Sequence, residues 1–294
     1  MRTITTYLLL VLVIILECPT TQGEIIWAPY GKFESNEIDE PSGLVKSRQF
    51  ENVFWTHNDR GDKARIFATT AEGDLIREVR ILGANHVDWE DITIDDAGYL
   101  YIGDFGNNRG KNKNDKENLT IYVIKEPNPL ESDSASVLKR IHFKFPDAKG
   151  FRDSQNKKFD CEALFWANGN LYCLTKHRRD KITKLYRFAA LQDNAHQILT
   201  KIGEFKIDGT VTSADASIDG NKLLVLCYEY VYMFEKPSNN DNYLAGKFKR
   251  ILCEGRKSEG ICFAGSDIFV SNEQRDIFKL TQSIFDGQDT FVPE

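Results

Sequence analysis

Acidic, amide and imidazole side chains recur at matching places along this chain, beside short apolar runs. Before one set of runs stand Glu40 and Ser42, Asp88 and Glu90, Asp160 and Glu162, Ser213 and Asp215, and Glu259. After the runs that follow them come His57, Asn58 and Asp59, then Asp104, Asn107 and Asn108, then His177 and Arg178, then Glu229, then Asn272 and Glu273. If these ends meet around one axis, their carboxylates raise one another's pKa unless a cation or ordered donors offset the repulsion. Calcium suits the set, because it takes six to eight oxygen ligands in flexible geometry, whereas zinc wants clustered His or Cys. The expected calcium ligands are Glu90, Asp104, Glu162, Asp215 and Glu259. Two catalytic alternatives use the same face. In a calcium-dependent hydrolase of a lactone, ester or phosphate, His57 or His177 would be the general base. In a glycoside hydrolase, Glu90, Glu162 and Glu259 would be the candidate acid and nucleophile or base. In a third reading the acids only cap turns or pair with Arg60, Arg109, Lys176, Arg178, Arg179 and Arg275. His57-Asn58-Asp59-Arg60-Gly61-Asp62 is the densest polar cluster, and its Asp and Gly also suit a tight turn. No Gly-rich phosphate loop or G-x-S-x-G elbow is present.

The elements that must position these residues form a repeat. In Val87–Asn108 an acidic start runs into Ile92-Thr93-Ile94, turns at Asp95-Asp96-Ala97-Gly98 and returns through Leu100-Tyr101-Ile102-Gly103, the pattern of a strand hairpin. Equivalent first strands begin at Ser42, Glu90, Glu162, Ala214 and Glu259, and second strands at Val53, Leu100, Leu171, Leu223 and Ile268. Third strands carry Ile66-Phe67, Ile121-Tyr122, Leu185-Tyr186, Val231-Tyr232 and Ile277-Phe278. Fourth strands are expected at Leu75–Leu82, Leu138–Phe145, Ile198–Ile207 and Phe248–Cys253, and the last repeat has none. An unassigned N-terminal strand, Ile25–Phe33, can supply it. The pattern predicts an all-β, single β-propeller of five four-stranded blades, its ring closed by the N-terminal strand. Six blades is the alternative, since the interval from 90 to 162 is long. It contains the loop Gly106–Asn118 and the polar stretch Asp147–Lys158. A two-sheet sandwich is a further alternative, with no reason to repeat a four-strand cycle. Trp27, Trp55, Trp89 and Trp166 are expected to pack between blades.

Residues 1–23, with Arg2, the apolar run Tyr7–Leu16 and small residues before Glu24, read as a secretory signal peptide, leaving 24–294 as the propeller domain. The run is shorter than the roughly 20 residues of a membrane-spanning helix. Secretion implies an extracellular protein with an unknown glycan, protein or small-molecule partner. Nucleic acid is not an expected partner, since the net charge is −6 and the lysines near 111–116 alternate with acids. The sequon at Asn118 is an expected glycosylation site. Cys161, Cys173, Cys227, Cys253 and Cys262 are an odd set in the mature chain, which leaves disulfide pairing open.

The segments HNDRGD, VDWEDI and YIGDFGNNR resemble the WTHND, DWEDI and IGDxGDN-type motifs of a group of secreted β-propeller proteins, most clearly from Ser42 to about Pro127. That resemblance implies the propeller fold and no defined activity. More distantly, the ring of acids is similar to that of calcium-bearing propeller hydrolases. The first functional expectation is an extracellular binding or matrix protein with a calcium site on its axis, and the hydrolase and glycosidase are the alternatives.

Overall fold

The computed structural model describes residues 27–106, 119–146, 160–176, 180–194 and 196–293. Five antiparallel four-stranded blades stand around one axis. Blade 1 is β2 (Pro41–Lys46), β3 (Phe54–Asn58), β4 (Arg65–Thr69) and β5 (Leu75–Leu82). Blade 2 is β6 (Trp89–Ile94), β7 (Tyr99–Asp104), β8 (Leu119–Lys125) and β10 (Lys139–Lys144). Blade 3 is β11 (Asp160–Ala167), β12 (Asn170–Lys176), β13 (Ile182–Arg187) and β15 (Thr200–Lys206). Blade 4 is β16 (Val211–Ala216), β17 (Lys222–Cys227), β18 (Tyr230–Glu235) and β19 (Phe248–Leu252). Blade 5 is β20 (Ser258–Ala264), β21 (Asp267–Asn272) and β22 (Asp276–Thr281), completed by β1 (Pro29–Lys32). β1 pairs with β22 through Pro29↔Phe278 and Lys32↔Asp276, so the N-terminal strand closes the ring as its pattern predicts.

Two strands have no counterpart in the repeat pattern. β9 (Ser134–Ser136) and β14 (His196–Ile198) run parallel to β5 and β10 and cover the outer edges of blades 1 and 2. Ile198, read in the sequence as the start of blade 3's fourth strand, belongs instead to β14 on blade 2. An unpaired outer edge invites association, and a short added strand blunts it. β9 lies in the long interval between the second and third repeats, where the described residues contain no sixth blade.

Alternation along each strand explains why both faces are apolar. Successive side chains point to opposite faces, and each blade is sandwiched between two others. On β17, Leu223, Val225 and Cys227 join the cluster shared with blade 3, while Leu224 and Leu226 join the one shared with blade 5. Five such clusters fill the gaps between neighbouring blades. The tryptophans serve them. Trp55 and Trp89 are buried between blades 1 and 2, Trp27 lies with blades 4 and 5, and Trp166 stacks on Tyr101 of blade 2. All five cysteines of the described chain are free thiols, and Cys161, Cys173, Cys227 and Cys262 are buried in this apolar packing.

Each inner strand carries one β-bulge, leaving Gly43, Glu90, Glu162, Thr212 and Glu259 unpaired with the second strand. A bulge re-aims the side chain of its extra residue. These five positions are the structural equivalents, so the sequence register was right at Glu90, Glu162 and Glu259 but early by one at Ser42 and late by two at Ala214. Below the bulges the inner strands are tied across the axis. The buried carboxylate of Asp91 on blade 2 accepts hydrogen bonds from Leu164 N of blade 3 (2.8 Å), and from Ser213 Oγ (3.1 Å) and Ala214 N (3.3 Å) of blade 4. At Gly260 a Cβ would lie 2.8 Å from Leu44 Cβ, so glycine lets the inner strands of blades 5 and 1 approach closely.

Candidate functional site: an acidic axial cavity

The bulges at Glu90, Glu162 and Glu259 open onto a cavity of about 380 Å³ at one end of the axis. Glu90, Glu162 and Glu259 all line it, together with Glu40, Asp59, Arg60, Lys176, Tyr228, Lys257 and Glu273. Convergence of three glutamates from three repeats follows from their common place in the bulge. Asp95 and Asn168 lie at the other ends of these first strands, in turns, where Asp95 Oδ1 accepts from Ala97 N and Tyr99 N.

One side of the cavity is a carboxylate trio. Ligand oxygens of Asp59, Asp88 and Glu90 all lie within 4.8 Å of one another. Asp59 follows β3 of blade 1, and its backbone N donates to Glu40 O (2.8 Å). Asp88 precedes β6, its N donating to Asp104 Oδ1 (2.9 Å) and its O accepting from Phe105 N and Gly106 N. Gly106 is a close approach: a Cβ there would lie 2.5 Å from Asp88 Oδ2 and would collide with Glu90 Oε1. Only a glycine leaves that space open. Burial first, then the charges of Glu162, Asp88 and Asp59, push the Glu90 carboxyl well above the usual range. The Glu90 carboxyl is hydrogen-bonded to that of Glu162, which burial raises in the same way. Apart from that mutual contact, neither Glu90 Oε1 nor Glu162 Oε1 meets a donor among the described residues. A buried carboxylate oxygen without a donor is costly to keep. The oxygen-only donor set and the close approach of its three carboxylates fit a divalent cation held by Asp59, Asp88 and Glu90.

The other side is organised around a buried cation. Lys176 Nζ, at the end of β12, lies 2.9 Å from Glu162 Oε2, with both side chains almost wholly buried. Burial disfavours the ammonium, but the charges of Glu162 and Glu259 outweigh it and hold Lys176 above the usual lysine range. The same ammonium sits 5.2 Å from the centre of the Tyr228 ring. Tyr228 OH donates to Glu259 Oε1 at 2.5 Å. Burial raises the Glu259 carboxyl to about 7, against the opposing pull of Lys176 and Tyr228.

Several expected site residues are placed elsewhere. Asp215 is not on this cavity: it lies three residues past the Thr212 bulge, lines a cavity at the opposite end of the axis, and accepts from Phe263 N (2.9 Å). Its place in the ligand set came from the register error in blade 4. Asp104 orients Asp88 through the backbone and is not one of the trio. His57 is fully buried beneath the cavity, its Nδ1 2.9 Å from Asn58 O and its ring edge-on to Trp89. Burial lowers it to about 3, which keeps it neutral, and it does not line the cavity, so it is not placed as a general base. The rest of its cluster is divided: Asn58 Nδ2 bonds to Glu37 O and Asp62 Oδ2, Asp62 pairs with Arg65, and Asp59 alone faces the trio. His177, Asn107, Asn108 and Asn118 lie outside the described residues. Asp59 and Asp88 were in the sequence inventory but not among the expected ligands, and Tyr228 was missed, since it lies just past the end of β17 and carries no acidic signature.

No protein-family model matches the chain, and no curated protein matches it. Among solved structures, it is similar to one described provisionally as a gluconolactonase, with a TM-score of 0.48 and 12% identity over 91% of this chain and 92% of that one. It is also similar to the β-propeller domain of Cps50 (Swd1) from Myceliophteria thermophila, with a TM-score of 0.46 and 10% identity over 86% of each chain. The class defined by strand order and site is a five-bladed β-propeller with a buried acidic group able to hold a metal. Among the described residues no helix is long and apolar enough to cross a membrane.

Proposed function

We propose that the protein is a secreted, divalent-cation-dependent hydrolase, with calcium the cation and a small ester, lactone or phosphate the substrate. The observation that carries this reading is the Asp59–Asp88–Glu90 trio, its oxygens within 4.8 Å of one another, beside an open cavity that also holds Glu259. A cation bound by the trio supplies Lewis acidity toward a carbonyl or phosphoryl oxygen. Glu259, at about 7, is poised to take a proton from an attacking water near neutral pH, and Tyr228 orients its carboxyl. Lys176 stays charged and offers a fixed positive group to a developing oxyanion. Glu162 anchors that lysine. Arg60 and Lys257 also line the cavity, Lys257 paired with Glu273.

The glycosidase reading has less support. Its flanking carboxyls stand about 5 to 5.5 Å or 6.5 to 9.5 Å apart. Glu90 and Glu162 are instead hydrogen-bonded to each other, closer than either separation. The test is the calcium content of purified protein together with a screen of ester, lactone and phosphate substrates, with and without EDTA. The expected result is turnover that EDTA abolishes, calcium restores and Glu259→Gln removes. Bound calcium without turnover of any of these would overturn the hydrolase reading in favour of an extracellular binding protein.

A further inference from the structure

The far end of the axis holds a second cavity, of about 570 Å³, between the turns that follow the inner strands of blades 1, 4 and 5. Its size falls within the roughly 300–1,000 Å³ of small-molecule sites. Its walls differ in kind from those of the acidic cavity. Val45, Ile94, Ala216 and Phe263 present apolar surface, and the charged groups are Lys46, Arg48, Lys222, Asp215 and Asp219.

Of the charged groups here, Arg48 alone is in an ion pair among the described residues. Arg48 is paired with Asp96 at 2.7 Å. Asp219 accepts from Ser217 Oγ, Asn221 N and Asn221 Nδ2, and Asp215 accepts from Phe263 N. The two lysines likewise meet only neutral acceptors. Lys222 Nζ lies 3.0 Å from Gln282 Oε1, and Lys46 Nζ lies 2.9 Å from Phe50 O and 3.3 Å from Ser47 O. Among the described residues neither is within ion-pair distance of a carboxylate. On the rim, Ile218 is 84% exposed, more than any other large apolar side chain described. Together with the apolar wall, Ile218 offers surface that a hydrocarbon chain could cover.

We propose that this second cavity binds a small amphipathic carboxylate, its hydrocarbon part against Val45, Ile94, Ala216 and Phe263 and its head group between Lys46 and Lys222. A carboxylate there would replace neutral acceptors by a charge-assisted pair, the stronger kind of hydrogen bond. The site shares no lining residue with the acidic cavity and does not depend on hydrolysis.

Octanoate is a suitable probe, with octylammonium as its charge-reversed counterpart. Ligand-detected NMR titration of the whole chain should give saturable millimolar or tighter binding of octanoate and much weaker binding of octylammonium. Lys222→Glu should weaken octanoate by about tenfold or more, the scale of one charged hydrogen bond. Ile218→Asp, at a solvent-exposed turn where folding is not at issue, should weaken it in the same direction. Both variants should keep the wild-type response of melting temperature to calcium, which separates this site from the other. No saturable octanoate binding, octylammonium bound as tightly, or unchanged affinity in Lys222→Glu would overturn the proposal.

Discussion

Replacing Glu90 by Gln keeps the shape of the side chain and removes the charge on which the cation site turns. Its oxygen lies within 4.8 Å of those of Asp59 and Asp88. At that separation, with an effective dielectric constant of about 20, each pair of unit charges repels by about 3.5 kcal/mol. An ionised Glu90 therefore faces repulsion on the order of several kcal/mol from the trio, which adds to burial and the charge of Glu162 in raising its carboxyl. The amide resembles the neutral acid that these effects favour, so the metal-free variant should be as stable as wild type or slightly more so. Calcium changes the balance. A cation binding only the native state at a hundredfold excess over its dissociation constant stabilises by about 2.7 kcal/mol, or roughly 5 to 10 °C in melting temperature for a domain near this size. In Glu90→Gln one of three carboxylate ligands is lost, and a drop of tenfold to a hundredfold in affinity removes about 1.4 to 2.7 kcal/mol of that gain. Thermal unfolding of both proteins in EDTA and in millimolar calcium reads the whole argument. Equal wild-type melting temperatures in the two buffers, or a full calcium response in Glu90→Gln, would refute it.

Gly106→Ala places a methyl group against Glu90 and Asp88, so it should abolish the calcium shift, with calorimetry showing no heat of calcium binding. Lys176→Met leaves the buried Glu162 without its cation and should destabilise by about 3–5 kcal/mol in urea unfolding at neutral pH. Adding Glu162→Gln should recover much of that loss. Glu259 has a folded pKa raised to about 7 from the ordinary 4.5, so the folded state binds its proton more tightly than the unfolded state does. Its contribution is fully present below about pH 4.5 and is lost as pH rises to 7, on the order of 3 kcal/mol in total. Unfolding in EDTA at pH 5 and 7.5 should show this fall reduced in Glu259→Gln, and an equal fall in both proteins would contradict it.

Much of the architecture was legible because it is local and repeated. The aliphatic–aromatic pairs marked every third strand, and Leu75–Leu82 coincides with β5. The missing fourth strand of the last repeat and the spare strand at the N-terminus together predicted the closure seen between β1 and β22. A hydrophobic pattern of period two survives in any blade order, so the strand count could be read without knowing which blades touch. β9 and β14 escaped notice because three-residue strands on an outer edge bury too little to leave a pattern.

The sequence alone determined that acids would gather at one end of the axis, and Glu90, Glu162 and Glu259 do line one cavity there. Which of them act together was decided by the bulges. One extra residue per inner strand shifts the pairing by a single position, and alternation on either side hides that shift. It left Thr212, not Ala214, equivalent to the glutamates and sent Asp215 to the opposite cavity. The trio itself draws Asp59 from blade 1 and Asp88 and Glu90 from blade 2, while Lys176 and Tyr228 come from blades 3 and 4. Contacts between blades depend on the ring being closed and on the depth of each side chain along the axis. Burial at that depth lowers His57 and raises the Glu90 carboxyl, while the carboxylates of Glu162 and Glu259 outweigh burial at Lys176 and keep it charged.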